Sequence, residues 1–247
     1  MNKSYKTTGI IIGKRDFGEA DKILIIFTQD LGKIQVKAIG LKRALAKMAG
    51  HLEMFNLVRL ELIKGKTFYI VIGAQLIDSF PVIKEDFEKM GIYYYFCEIL
   101  NKILDEGVRH KNTFAFFLSV LNKLNQKDSD NLILTVFFEL NILSHLGFKP
   151  EFLVCVGCRE EIGGHKFYFS QERGGVLCES CGKEDFFADS LTPNAVKLMR
   201  VILARDFKLL ERVKMEKSIP EEVKKINGYF LEHILGRELK SKKFLSV

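Results

Sequence analysis

The chain has 247 residues, of which 47% are apolar and 28% charged, and its formal net charge is +7. This composition is typical of a soluble globular protein, and the length suits one large domain or two to three small ones. No apolar run approaches the roughly 20 residues that cross a bilayer, and the first residues enter a strand pattern directly. We therefore expect a cytoplasmic protein with reduced thiols, no secretory signal and no membrane partner.

The first third of the chain contains apolar runs with strand character at residues 8–14, 22–28, 33–39, 55–63 and 67–77. In the fifth run, alternate residues share one face, as period-two pleating requires: Phe68, Ile70, Ile72, Ala74 and Leu76. Short Gly-bearing links between the runs suit hairpins. So many short antiparallel strands in so few residues are predicted to close into a small barrel.

Positive charge is concentrated in this predicted barrel. Residues 1–80 hold 13 Lys or Arg against 7 Asp or Glu, a net charge of +6, whereas residues 81–247 contribute only +1. The loop at residues 40–50 carries Lys42, Arg43 and Lys47 without an acid. Such segregation favours a surface that binds nucleic acid. A lysine-rich solvated surface is the alternative interpretation.

Helical periodicity follows the barrel and predicts helices at residues 85–105, 112–124, 131–146, 195–203 and 218–235. Gly107 and Gly236 are expected to end helices. Thr192 and Ser218 are expected to cap the starts of the last two, Ser218 within a capping box that includes Glu221. Consecutive helices with short links predict a helical bundle.

Four of the five cysteines form two Cys-x-x-Cys pairs, Cys155 with Cys158 and Cys178 with Cys181, and 19 residues separate the pairs. This spacing predicts a ribbon that binds one zinc ion through four thiolates. Such a site has no open position for water or substrate, so the zinc is expected to be structural. A redox role is the alternative, but it needs a βαβ context that is absent here.

No catalytic constellation is recognisable, and we expect no enzyme activity. Residues 65–67 end like a phosphate-binding loop, but Leu60 stands where that motif needs Gly, and a strand pattern follows where it needs a helix. The five histidines are scattered along the chain. Cys97 lies in an apolar helix and is expected to be a small buried hydrophobic residue.

Sequence blocks in a consistent order resemble the bacterial RecO family of recombination mediators. They include RDFGEADKI at residues 15–23, LGFKP at 146–150, the two Cys pairs, and LGRELKSKKFL at 235–245. The resemblance implies an α+β protein with an N-terminal OB-fold barrel and a helical domain into which a zinc ribbon is inserted. The expected segments are a barrel at residues 1–80, helices at 81–150, the ribbon at 151–189, and further helices with a basic tail at 190–247.

The resemblance also implies that the protein performs no covalent chemistry and that it associates with the nucleoid. RecO-like proteins bind single- and double-stranded DNA, anneal complementary strands, and with RecR help RecA replace single-strand-binding protein. We expect a monomer with an apolar pocket, rimmed by Lys or Arg, for the acidic tail of single-strand-binding protein. A basic barrel-and-ribbon protein that binds RNA is the alternative.

Within the barrel, we expect a set of basic side chains to follow the DNA backbone: Lys14, Arg15, Lys37, Lys42, Arg43, Lys47, Lys64 and Lys66. Contacts with phosphates alone do not depend on base sequence, as the annealing of arbitrary complements requires. Phe17 and Tyr69, if they point outward, are expected to stack on bases at about 1–3 kcal/mol each.

Overall fold

The computed structural model of the protein describes residues 4–42, 48–205, 207, 210 and 215–245. Its strands are β1 (Ser4–Phe17), β2 (Asp21–Thr28), β3 (Gly32–Ala38), β4 (Leu57–Lys64), β5 (Tyr69–Asp78), β6 (Phe167–Ser170), β7 (Gly175–Leu177) and β8 (Asp189–Leu191). Its helices are α1 (Pro81–Glu85), α2 (Phe87–Ile103), α3 (Lys111–Leu124), α4 (Asn131–His145), α5 (Glu179–Glu184), α6 (Pro193–Leu203) and α7 (Ser218–Leu235), followed by a 3-10 turn (Lys240–Phe244). None of these helices is long and apolar enough to span a membrane.

The first five strands form a closed barrel in the order β1-β2-β3-β5-β4. Neighbouring strands are antiparallel except β3 and β5, which pair in parallel where Val36 meets Tyr69 and Lys37 meets Ile70. Buried aliphatic residues such as Leu24 and Leu60 fill the interior. The α+β class and the predicted five-stranded OB barrel are confirmed.

Strand β1 closes the barrel by pairing with two neighbours. Its first half pairs with β4, its second half pairs with β2, and the register shifts between Ile11 and Gly13. A register shift leaves backbone groups without a partner in the ladder. Here the carbonyl oxygens of Ile11 and Ile12 accept hydrogen bonds from the Tyr93 hydroxyl (2.8 Å) and the Asn101 amide (3.0 Å) of α2. The bulge in β1 therefore joins α2 to the barrel.

The predicted alternation in β5 is interrupted in the same way. Tyr69 and Val71 pack into the barrel interior, but so does Ala74, because the register against β4 shifts and Ile72 becomes an extra residue. Ile72 is left 50% exposed on the outer surface. Since a bulge exchanges the two faces of a strand, the predicted apolar face of β5 does not continue along one side.

Helices α2 and α3 complete the packing around the barrel. Phe27 of β2 lies against Phe114 of α3, with their ring centroids 5.5 Å apart. The buried Lys89 of α2 donates to the carbonyl oxygen of Leu124 at the end of α3 (3.0 Å). Burial lowers the pKa of Lys89 because the ammonium group loses contact with water.

The chain divides into two compact units. Unit 1 comprises Met1–Ser129 and Leu239–Val247, and unit 2 comprises Asp130–Glu238. This division differs from the expected segments, because α2 and α3 belong with the barrel and the basic tail returns to it. The tail is held by Glu98 of α2, whose carboxylate accepts hydrogen bonds from the backbone N–H groups of Lys240 (3.1 Å) and Ser241 (2.7 Å).

Unit 2 is built around α4, in which every residue from 134 to 143 is buried. Helices α6 and α7 pack against it, and the Asn227 amide of α7 donates to the carbonyl oxygen of Val136 (3.4 Å). The small sheet of the ribbon has the order β7-β6-β8. Phe169 of this sheet meets Phe230 of α7 edge-on, with ring centroids 5.3 Å apart.

Two of the predicted helix ends agree with the structure. Thr192 caps α6, since its hydroxyl oxygen accepts a hydrogen bond from the Ala195 N–H (3.2 Å). Gly236 follows α7 in the left-handed conformation, with φ of 63°. A left-handed residue after a helix is best supplied by glycine, which has no Cβ to clash.

The other two predicted ends are wrong. Ser218 is the first residue of α7 and makes no capping hydrogen bond, because Lys217 before it already has helical backbone angles and its carbonyl accepts the Glu221 N–H (3.2 Å). Gly107 lies beyond the end of α2 and does not cap it. Its N–H donates instead to the carbonyl oxygen of Lys33 in β3 (2.8 Å), so it belongs to a contact with the barrel.

We expect Gly32→Ala to lower the free energy of unfolding by about 3 kcal/mol. Gly32 has φ of 71°, and an added Cβ would overlap the backbone carbonyl of Val108. Gly18→Ala is the matched control: φ is 63°, but nothing lies within 4 Å, so only backbone strain of about 1 kcal/mol applies. Urea unfolding monitored by circular dichroism measures both. Equal losses would contradict the proposed overlap with Val108.

Candidate nucleic-acid interface and metal centre

The two units differ in charge. Unit 1 contains 23 Lys or Arg and 14 Asp or Glu, a net charge of +9, whereas unit 2 contains 15 and 17, a net charge of −2. The return of the tail to unit 1 adds three lysines and no acid to the unit that contains the barrel. A polyanion is therefore attracted to unit 1 rather than to unit 2.

One end of the barrel combines aromatic and basic side chains. Phe17 at the end of β1 meets Phe68, just before β5, with ring centroids 5.9 Å apart. The Lys37 ammonium lies 5.0 Å from the centre of the Phe17 ring and also forms an ion pair with the Asp21 carboxylate at 2.9 Å. Phe17 is 38% exposed, so part of its ring is open to a ligand. Cations over aromatic rings and exposed ring faces are features of single-strand binding surfaces.

Three more of the predicted basic residues lie on the strands and the turn that carry this aromatic pair. Arg15 is two residues before Phe17 on β1 and donates to the Gln35 side chain of β3 (3.2 Å). Lys64 and Lys66 are exposed on the β4–β5 turn, which the Gly65 N–H closes by bonding to the Phe68 carbonyl (3.0 Å). We call this set the barrel-end surface: Arg15, Phe17, Lys37, Lys64, Lys66 and Phe68.

The other predicted basic residues do not join this set. Lys14 pairs with Leu24 on the inner side of β1, opposite to Arg15, and its ammonium contacts the Glu53 carboxylate at 2.8 Å. Lys42 forms an ion pair with Asp16 at 3.2 Å, and its hydrogen bond is the main reason that the pKa of Asp16 is lowered. Arg43 and Lys47 lie outside the described residues.

The two aromatic residues considered for stacking have different environments. Tyr69 packs toward the barrel interior, with its ring edge-on to Tyr5 at 5.7 Å. Phe68 has the outward position instead, in contact with Phe17, and it was not among the predicted residues. Its place beside a Lys-Gly-Lys turn was the available signal, because a residue next to a tight turn is at the rim of a barrel.

The four paired cysteines come together in unit 2. Their sulfur atoms all lie within 4.8 Å of one another, and the Cys158 and Cys178 sulfurs are 3.9 Å apart. Sulfurs bound to one tetrahedral ion at 2.3 Å would be about 3.8 Å apart, whereas a disulfide needs about 2.05 Å. The arrangement can therefore hold a metal ion.

Hydrogen bonds favour the thiolate form of Cys155, whereas the hydrogen bond with Cys178 raises the pKa of Cys181 to about 12. The N–H groups of Gly157 and Cys178 point at the Cys155 sulfur, at 3.4 and 3.3 Å. Burial alone raises the pKa of Cys155, but the hydrogen bonds from Cys178, Cys158 and Gly157 outweigh it and lower the pKa to about 6. A thiol with such a pKa is readily converted to the thiolate that binds metal.

The glycines of the two knuckles are required for space rather than for turn conformation. Neither Gly157 nor Gly182 has a positive φ. A Cβ on Gly157 would lie 2.9 Å from the Cys181 sulfur, and one on Gly182 would overlap the Tyr168 ring.

Two other residues of types that bind metals are not part of the cluster. His165 is exposed, and Cys97 is buried in α2, where burial raises the pKa of its thiol.

Unit 2 also contains a cavity of about 360 Å³ beside α6 and the start of α7. Its apolar lining comes from Leu198, Val201, Met215 and Ile219. Lys197 and Glu216 contribute charges of opposite sign to the same lining. The cavity therefore offers space for an apolar side chain next to one basic group.

Comparison with known proteins matches two family models to consecutive parts of the chain, with the boundary directly after the barrel. The family model described as "Recombination protein O N terminal" matches residues 1–80, and "Recombination protein O C terminal" matches residues 84–243. Among curated relatives, each named "DNA repair protein RecO", that of Dehalococcoides mccartyi is 32% identical over 96% of this chain and 93% of its own length. That of Symbiobacterium thermophilum is 31% identical over 98% and 96%, respectively, and that of Roseiflexus sp. is 30% identical over 99% and 86%. The chain belongs to the RecO family.

Proposed function

We propose that this protein binds single- and double-stranded DNA, anneals complementary strands, and acts with RecR to load RecA on DNA covered by single-strand-binding protein. The observation that supports this best is the barrel-end surface on a unit of net charge +9. The cations and the exposed Phe17 ring lie together on an OB barrel, a fold whose loops and strands commonly bind oligonucleotides. The names of the relatives agree with a role in DNA repair.

The physical basis of annealing is the neutralisation of phosphates. Lysine and arginine side chains that contact phosphates release counterions, and this contributes affinity without reading the base sequence. When two complementary strands approach the same basic surface, the cations also reduce the repulsion between their backbones. Phe17 and Phe68 supply ring surfaces on which unpaired bases stack, whatever their identity.

The metal in this proposal is one structural zinc ion held by Cys155, Cys158, Cys178 and Cys181. Four thiolates suit Zn²⁺ in a reduced compartment and leave no coordination position for a reacting group. The ion would stabilise the ribbon, including the segment that carries Phe169 to its contact with Phe230. Because the basic charge is in unit 1, we expect zinc to affect folding of unit 2 rather than DNA affinity.

Two partners complete the proposal. RecR is proposed from membership of the family alone, and its contact residues are not assigned. For the acidic, Phe-ended tail of single-strand-binding protein, the cavity beside α6 is the proposed site, because it combines an apolar lining with Lys197. Glu216 in the same lining opposes an acidic ligand, so we expect modest affinity.

We expect the triple variant Arg15→Gln/Lys64→Gln/Lys66→Gln to bind single-stranded DNA about tenfold more weakly and to lower the salt slope by about 2, at 0.7 for each lost phosphate contact. The triple variant Lys111→Gln/Lys149→Gln/Lys217→Gln removes the same charge from exposed positions elsewhere. Fluorescence anisotropy over a salt series measures both. Equal slopes in the two variants would refute the barrel-end surface as the interface.

The same variants test annealing. With complementary strands coated by single-strand-binding protein, we expect the natural chain to accelerate annealing and the barrel-end variant to be slower than the control, because fewer phosphates are neutralised. Competition between single-stranded DNA and RNA of the same sequence separates this function from RNA binding. Preference for RNA would favour the alternative.

We expect the purified chain to contain one zinc ion, and Cys155→Ser to lose it, since three thiolates hold the ion less tightly than four. Cys97→Ser is the control, because this cysteine is buried in α2 and is not one of the four clustered cysteines. Metal analysis and hydrogen exchange in residues 152–191 measure the effect. If the natural chain without zinc shows the same protection from hydrogen exchange in the ribbon as the natural chain with zinc, a structural ion is ruled out.

For the acidic tail, we expect Lys197→Glu to weaken binding of a fluorescent tail peptide several-fold, because the charge beside the cavity is reversed. Lys149→Glu, at an exposed position in the same unit, is the control. A peptide that lacks its last residues should bind neither the natural chain nor the variants. If Lys197→Glu and Lys149→Glu bind the complete peptide equally, the cavity is not the site.

A further inference from the structure

The returning tail forms a second aromatic and basic surface on unit 1. Residues 239–245 lie along α2, where Glu98 holds the backbone of the 3-10 turn. One end of this contact depends on Gly91, because a Cβ there would lie 2.8 Å from the Phe244 carbonyl oxygen and 3.1 Å from its Cβ. The absence of a side chain at Gly91 therefore allows Phe244 to lie against the helix.

Two phenylalanines on this surface are open to solvent. Phe87, in the first turn of α2, is 89% exposed, and Phe244 is 52% exposed. Phe87 and Gly91 are four residues apart and so lie on one face of the helix, which brings Phe87 to the side where the tail packs. Exposed apolar side chains on one surface can mark a contact with a ligand or partner.

The charge around the Phe244 ring is positive, whereas Phe87 lies between the acids Asp86 and Glu88 in the sequence. The Lys243 ammonium lies 5.2 Å from the centre of the Phe244 ring, and Lys240 is exposed on the same turn. Residues 239–247 contain three lysines and no acid. Glu98, whose carboxylate contacts the turn, is occupied by Lys102 at 2.8 Å and by the tail itself.

The hydrogen bonds between the Glu98 carboxylate and the tail are maintained at neutral pH. Burial raises the pKa of Glu98, but hydrogen bonds from Lys102, Ser241 and Lys240 outweigh it and lower the pKa to about 2. The carboxylate is therefore charged at any working pH. The backbone of the turn is held before a ligand arrives, which reduces the entropy lost on binding.

The surface formed by the tail resembles the barrel-end surface in its combination of lysines and phenylalanines. In both places a lysine ammonium lies over a partly exposed phenylalanine ring, Lys37 over Phe17 and Lys243 over Phe244. Both belong to unit 1, whose net charge of +9 favours a polyanion over a basic or neutral partner. Flat rings beside ammonium groups suit unpaired bases joined by phosphates.

We propose that Phe87, Phe244, Lys240 and Lys243 form a second contact for single-stranded DNA, separate from the barrel end. This inference rests on the proposed DNA-binding function. The lysines contact phosphates and the rings stack on bases. A DNA strand that extends beyond the barrel-end surface therefore engages both surfaces of one chain.

The test uses the full-length variant Phe87→Ala/Lys240→Gln/Lys243→Gln, which changes only exposed side chains. The matched control is Phe186→Ala/Lys111→Gln/Lys149→Gln: Phe186 is 96% exposed, and both lysines are exposed. Equal melting temperatures establish that the variants are folded. Anisotropy with oligothymidylates of about 8 and about 30 nucleotides compares a strand within the reach of one OB barrel with a longer one.

We expect the tail variant to lose about tenfold in affinity for the longer strand, with a salt slope lower by about 1.4, and to bind the short strand like the control. Equal binding of the longer strand by variant and control would overturn the second contact. So would loss of binding to phosphatidylglycerol vesicles with unchanged DNA affinity, since that result assigns the surface to lipid. If the natural chain binds neither strand, the proposed function itself fails; if only the barrel-end variant loses affinity, this inference alone fails.

Discussion

The need to pair buried backbone groups determines how unit 1 is built. A closed barrel of so few strands requires β1 to curve sharply and to pair with β4 and β2 in turn, and the register shift near Ile11 provides that curvature. The shift leaves carbonyl groups that a buried site must satisfy. Tyr93 and Asn101 supply the donors, so α2 is a necessary part of the barrel. Once α2 is fixed, α3 and the tail have a surface on which to pack.

This arrangement also determines where the charge lies. Because α2 holds the tail through Glu98, the lysines near the end of the chain join those of the barrel in one unit. Unit 2 has a slightly negative charge and contains the cysteine cluster. The positive charge and the cysteine cluster thereby belong to different units of the chain.

Features that depend on local sequence were predictable. Two-residue alternation identifies the barrel strands, and the spacing of the Cys pairs identifies the cysteine cluster, because both patterns are set by residues close together in the chain. Thr192 is a correct cap for the same reason. The sequence also placed most of the positive charge in the first third, since a count of residues needs no contacts.

Features that depend on distant contacts were not predictable. The extra residue in β5 exchanges its faces, so the outward position falls to Phe68 and not to Tyr69. Lys14 and Arg15 are neighbours in sequence, but consecutive strand residues point to opposite faces, and only the register shows which one faces inward. Gly107 bonds to a strand that precedes it by more than 70 residues. No local pattern contains that information.

The division of unit 1 into two separate stretches of chain has a consequence during synthesis. The barrel, α2 and α3 emerge from the ribosome well before residues 239–245, because all of unit 2 is translated in between. Until then, Glu98 lacks the backbone N–H donors of Lys240 and Ser241, and Phe244 does not lie against Gly91. A nascent chain therefore contains the barrel before its tail can pack on α2. The lysines of the tail join unit 1 only after translation has passed the 3-10 turn.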